Sequence, residues 1–275
     1  MGLNDQSYYA SGYDPTVSKT HSWRTVATCC EYFEKSIKLG DTILDVGCGP
    51  GTITCDFARY VGKDGEVIGI EPTKELIDEA NLRKPSELDK NVKFSVASAY
   101  KIPFDDNTFD IVHCHQVLVH LEDPLAALKE MKRVCKKGGV VCCREADLEM
   151  TAVYPLAYID TVEYYFRRKS TDQTSTDGRM GRKLRSLAMM AGFDGPNVNG
   201  SVGNWTYYRD DERKWFGEMF LGRIGGSKEK FIYDSDVLND KKKAEIIRGW
   251  EEWIKDPDGW LNFSHGQIVC RKADL

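Results

Sequence analysis

The chain has 275 residues, 41% of them hydrophobic and 29% charged, and a net charge of −5. That length and balance predict one globular α/β unit with insertions rather than two independent domains. The negative charge argues against a nucleic-acid partner, whose phosphates need a basic face.

Nine scattered cysteines without any C-x-x-C give neither a disulfide framework nor a zinc site, so no metal is expected. Reduced, mostly buried thiols in a cytoplasmic protein are the economical reading. No apolar run approaches the roughly 18 residues that a membrane span requires.

Residues 1–40 read as an irregular arm carrying Tyr8, Tyr9 and Tyr13, followed by one helix over 22–38. The arm has little to bury by itself, which suits a lid. From residue 41 to 147, short apolar runs alternate with helical periodicity. Strands are predicted at 42–46, 66–71, 91–97, 109–115 and 140–145, with helices at 53–61 and from Lys74 to Lys84. The helix after strand four has both ends marked, by Asp123 as N-cap, Pro124 in the first turn and glycines after the last turn. Such alternation implies a parallel sheet covered on both faces. Residues 148–275 differ. Helices are expected near 154–170, 179–191, 210–224 and 236–255, with strands near 197–207 and at 263–271. Five of the six tryptophans lie between Trp205 and Trp260.

The stretch "LDVGCGPG" (44–51) follows the first strand and opens a helix. Its glycines let a ligand approach the backbone, and a helix N-terminus attracts negative charge. A dinucleotide fingerprint would need glycine where Thr52 stands, so the spacing disfavours an NAD-type oxidoreductase. Asp45, two residues before Gly47, suits a ligand with an ammonium group. Glu71 ends the second strand, where a carboxylate accepts from both hydroxyls of a ribose. A nucleoside with an amino-acid tail fits better than a pyrophosphate.

The runs "ILDVGCGPGTIT", "VIGIEP" and "ASAYKIPFDDNTFDIVHCHQVLVHLEDPLAALKEMKRVCKKGGVV" resemble class I S-adenosylmethionine-dependent methyltransferases, in the ubiquinone/menaquinone-biosynthesis-like small-molecule branch, fungal members especially. The resemblance implies a Rossmann-like sheet with helices on both faces and further C-terminal helices as a cap. It implies S-adenosylmethionine as cofactor and a small-molecule acceptor. It places Gly47, Cys48 and Gly49 along the methionine portion, Asp45 at the ammonium, Glu71 at the ribose and Pro72 near the adenine. Ser98 and Ala99 take the adenine loop, with Ser98 standing where the family commonly has an acid. Arg24, His115 and Gln116 complete the cofactor set. His115 and His120 are the candidate catalytic residues, and Glu145 and Asp147 also fall at carboxyl ends of strands, where open α/β sheets place their crevice. His113, alternating with His115, is expected inside the sheet. A protein substrate remains the alternative to a small acceptor.

Overall fold

The computed structural model describes residues 23–88, 90–162, 177–225 and 240–274. The tyrosines of the arm lie outside them. Strands β1 (Thr42–Val46), β2 (Glu66–Glu71), β3 (Val92–Val96), β4 (Phe109–His115) and β5 (Cys135–Ala146) pair in parallel, in the order β3-β2-β1-β4-β5. Beyond β5 the sheet turns antiparallel. Strand β8 (Trp260–Arg271) pairs with β5, and β7 (Val198–Tyr207) and the short β6 (Ala152–Tyr154) pair with β8.

Four of the five residues in β1 are buried, as both-face coverage demands. One face packs Leu44, Val112, Val141 and Ile268 against α4 (Pro124–Val134) and α5 (Met180–Met190). The other packs Ile43, Ile111, Val140 and Cys142 against Phe57 of α2 (Thr52–Val61) and against Val26 and Phe33 of the N-terminal segment. Helix α3 (Lys74–Arg83) buries Ile77 and Ala80. A separate cluster joins α6 (Asp210–Gly225) and α7 (Asp240–Lys255) around Trp250, Trp253, Phe216 and Phe220. The aromatic residues of the C-terminal half thus serve largely as core. All nine cysteines are free thiols. Among the described residues no helix is long and apolar enough to cross a membrane.

Three expectations change. Asp123 does cap α4, its Oδ1 accepting from the Ala126 N–H at 2.9 Å. The glycines do not end that helix, however. Cys135 is already extended, and Gly138 and Gly139 lie inside β5, where a Cβ on Gly139 would meet the Asp110 carbonyl at 2.6 Å. Of the helix expected near 154–170, Tyr154 instead ends β6, Leu156–Tyr158 is a 3₁₀ turn and 159–162 are helical, while 163–170 lie outside the described residues.

The helix expected over 22–38 stops as α1 (Val26–Cys29), followed by a 3₁₀ turn at Glu34–Ser36. Its apolar stripe survives, with Val26, Cys29, Cys30 and Phe33 all buried. The Thr28 carbonyl, which a continuing helix would reserve for an N–H four residues on, accepts instead from Arg144 Nη1 and Trp205 Nε1, each at 3.0 Å.

Helix α5 meets the sheet with no side chain between. A Cβ on Gly181 would lie 2.7 Å from the Gly266 nitrogen and 2.8 Å from the Glu145 carbonyl oxygen. Backbone cannot yield as a side-chain tip can, so Gly181→Ala should cost about 1–3 kcal/mol of stability. Gly222→Ala, on an exposed face of α6 with nothing within 4 Å, should instead gain about 0.5–1 kcal/mol. Thermal denaturation of the two variants beside the parent should show shifts of opposite sign.

Candidate active site

The glycine loop between β1 and α2 has positive φ at Gly47, Gly49 and Gly51, at 70°, 52° and 78°. The three have different reasons to be glycine. A side chain at Gly47 would collide with the Val117 methyls, and one at Gly51 would strike the Phe94 ring. At Gly49 nothing stands within 4 Å, so this backbone faces open space. The loop is pinned from below, with the Gly47 and Cys48 N–H groups both donating to the Ile70 carbonyl of β2 at 2.7 and 3.0 Å. Burial pushes the Cys48 thiol well up, so it is packing and not a nucleophile.

Asp45 is not the open acceptor the sequence suggests. It is 3% exposed, and its oxygens take Thr54 Oγ1 at 2.6 Å and His113 Nδ1 at 2.8 Å. His113, fully buried in β4 as expected, reaches the Cys30 thiol with its Nε2 at 3.4 Å. Asp45 therefore ties the glycine loop, α2 and β4 together. Glu71 ends β2 with Oε1 accepting from the Thr73 N–H at 3.2 Å, and Pro72 follows it. In the next loop Ser98 Oγ accepts from the Tyr100 N–H at 3.0 Å beside buried Ala99, so its hydroxyl already shapes the turn.

At the end of β4, Gln116 has a φ of 56°, unusual for a residue with a Cβ. Hydrogen bonds hold it there. Arg24 Nη2 donates to its Oε1 at 2.9 Å, its amide meets His265 Nε2 at 2.8 Å, and its N–H donates to the Arg144 carbonyl. Arg24, His115 and Gln116, distant in sequence, are thus brought to one place, together with Arg144, Trp205 and His265. These last three the sequence reading missed. No local signal singles them out, since β5 also carries Glu145 and β8 also carries Ser264 and Gln267. His115 is stacked between His113 and His265, with ring centroids 6.5 and 6.2 Å away. Burial above all, then the Arg24 and Arg144 charges, holds its pKa well below the usual imidazole range, so it is neutral.

His120 closes the 3₁₀ turn Leu118–His120, outside that row of imidazoles. Asp147 is fully buried and clamped by Arg182, with Nε to Oδ2 and Nη2 to Oδ1 at 2.6 Å each, so it anchors α5 and is no free base. Glu145 is fully buried too. Its Oε1 accepts from the Val117 and Leu118 N–H groups at 3.0 and 2.9 Å, and its Oε2 from Val119 at 3.2 Å.

A family described as "Methyltransferase domain" matches residues 37–187. An uncharacterized methyltransferase of Schizosaccharomyces pombe is 44% identical across 98% of each chain. The chain belongs to the methyltransferase-domain family. A demethylmenaquinone methyltransferase of Staphylococcus saprophyticus is 32% identical over 62% of this chain and 77% of its own. A SAM-dependent methyltransferase from Aquifex aeolicus shares the fold, with a TM-score of 0.53 and 18% identity, covering 94% of this chain and all of its own.

Burial pushes the Glu145 carboxyl from 4.5 up to about 7, against the pull of the three N–H groups. The folded chain then keeps a proton that the unfolded chain has lost, so this group's contribution to stability falls as pH rises from about 4.5 to about 7. His115 and His265, both held below 6.5, slope the other way at acid pH in any variant that retains them. The melting-temperature difference between the parent and Glu145→Gln should therefore depend on pH inside that window and become constant above it. A constant difference throughout would mean that Glu145 is ionised across the range.

Proposed function

We propose that this methyltransferase moves a methyl group from S-adenosylmethionine to a small-molecule acceptor at the carboxyl ends of β4 and β5. The observation that carries the reading is the bare Gly49 backbone, at positive φ and facing open space, on the loop beside the β2 carboxylate Glu71. No side chain intervenes where the backbone must meet a ligand, and a buried acid stands where a ribose needs an acceptor. Gly47, Cys48 and Gly49 would line the amino-acid tail with Arg24 and Gln116, while Pro72, Ser98 and Ala99 would border the adenine. The likeness to a demethylmenaquinone methyltransferase supports a small acceptor.

When bound, the sulfonium supplies a methyl group that is already electrophilic, so the protein's tasks are alignment and exclusion of water. Gln116, locked by two side chains, fixes the floor between donor and acceptor. Trp23 and Trp205, in edge contact at 4.8 Å, shield the β4 end from solvent. Neutral, buried His115 is placed to accept a proton or a hydrogen bond from an acceptor hydroxyl.

S-Adenosylmethionine and S-adenosylhomocysteine should each raise the melting temperature, since they bind only the folded state, and NAD should not. Stabilisation by NAD alone would overturn the reading. Glu71→Ala removes a charged acceptor worth about 1.5–3 kcal/mol, so calorimetry should show S-adenosylhomocysteine binding weakened by about ten-fold or more in a folded variant.

A further inference from the structure

Strand β8 is paired along both sides. Residues 266–270 have β5 on one side and β7 on the other, and residues 260–262 take β6 on the side that β5 uses. β7 is therefore one border of the sheet, and among the described residues nothing pairs with its outer edge. It is ten residues long, against five in β3, the opposite border. Proteins usually blunt a sheet edge with lysine, proline or a short strand. β3 does so, being short and carrying Lys93, whose ammonium reaches Glu66 on β2. β7 does not. From Val198 to Tyr207 it contains no charged residue and no proline, which leaves a template for another strand.

The flanks of the strand specify which strand fits. An antiparallel copy of β7 answers its own alternation of N–H and C=O groups about a two-fold axis. A register that sets Ser201 opposite Val202 of the partner copy also sets Asp194 opposite Arg209, twice by symmetry. Asp194 is exposed and its side chain caps nothing. Arg209 is 64% exposed in its side chain, and the neighbouring Asp210 is engaged by Arg213 at 2.7 Å. Between these flanks, from Gly195 to Tyr208, no residue is charged, so two chains of net charge −5 meet along a neutral strip. Apolar contact is available beside it. Val202 shares a face with Val198, which packs in the α5 cluster, and is 55% exposed. Met189 of α5 is 41% exposed, and its sulfur would lie 3.7 Å from a Cβ on Gly195, at the turn leading into β7.

We infer that the outer edge of β7 is an interface with a second copy of this chain, the two strands pairing antiparallel about an axis between Ser201 and Val202. The sheets of the two copies then continue into one, Asp194 and Arg209 close both ends of the ladder, and Val202 with Met189 packs against its counterparts on one side. The inference stands independently of the proposed methyl transfer.

Sedimentation velocity of the full chain over a concentration series should show a monomer–dimer equilibrium. Val202→Lys sets two ammonium groups together at the axis, and should weaken the dimer about ten-fold or more while circular dichroism stays that of the parent. Asp194→Lys and Arg209→Asp should each weaken it about three- to ten-fold, and the two changes combined should restore it. That restoration belongs to the antiparallel register alone. Both charged positions are exposed and lie outside the strand, so this set decides the matter even if Val202→Lys fails to fold. A parent that is monomeric throughout the series would overturn the interface. So would a dimer indifferent to Val202→Lys, or charge variants whose combination restores nothing.

Discussion

The crevice depends on one carboxylate, that of Glu145, gathering three consecutive backbone N–H groups from the turn after β4. Those groups begin a 3₁₀ turn and have no partner within it. By collecting them, Glu145 fixes Val117, and Val117 presses on Gly47 so closely that no side chain fits there. The glycine loop after β1 and the carboxyl end of β5 are therefore held in one spacing by a single buried acid. Gln116, between them, is kept in the left-handed region by Arg24 and His265.

A second constraint runs along the opposite face of the same strands. Asp45, His113, His115 and His265 form a buried polar row through a sheet otherwise filled by Ile43, Ile111, Val140 and Cys142. At one end the row is satisfied, with Asp45 held by Thr54 and His113. At the other end it is not, since His115 and Arg144 keep polar atoms without partners. That gradient separates architecture from chemistry. The satisfied groups set distances, and the unsatisfied ones carry the cost of burial.

Much of this was legible in the sequence, for reasons that differ by element. β1, β2 and β4 have the bounds expected of them because their apolar runs end abruptly at a glycine loop, at a proline and at Gln116. The boundary of β5 was misread because glycine normally signals a stop, whereas Gly139 serves here for a close approach to the Asp110 carbonyl and Gly138 for a φ of 75° inside the strand. The helix over 22–38 was overcalled because periodicity reports which face is buried and not who owns each carbonyl. Gly47 to Gly51, Glu71, Ser98 and Gln116 share one end of the sheet because each follows or ends a parallel strand. Arg144, Trp205 and His265 were invisible, since pairing between β5, β7 and β8 is a long-range fact that no local spacing encodes.

The capture of the Thr28 carbonyl by Arg144 and Trp205 bears on how the chain is born. Ribosomal synthesis delivers the amino-terminal segment first, yet the two side chains that shape it arrive 116 and 177 residues later. Until β7 has been translated and paired, that segment lacks the donors that define its path. The path of the chain around Thr28 is therefore fixed only when β5 and β7 are both in place.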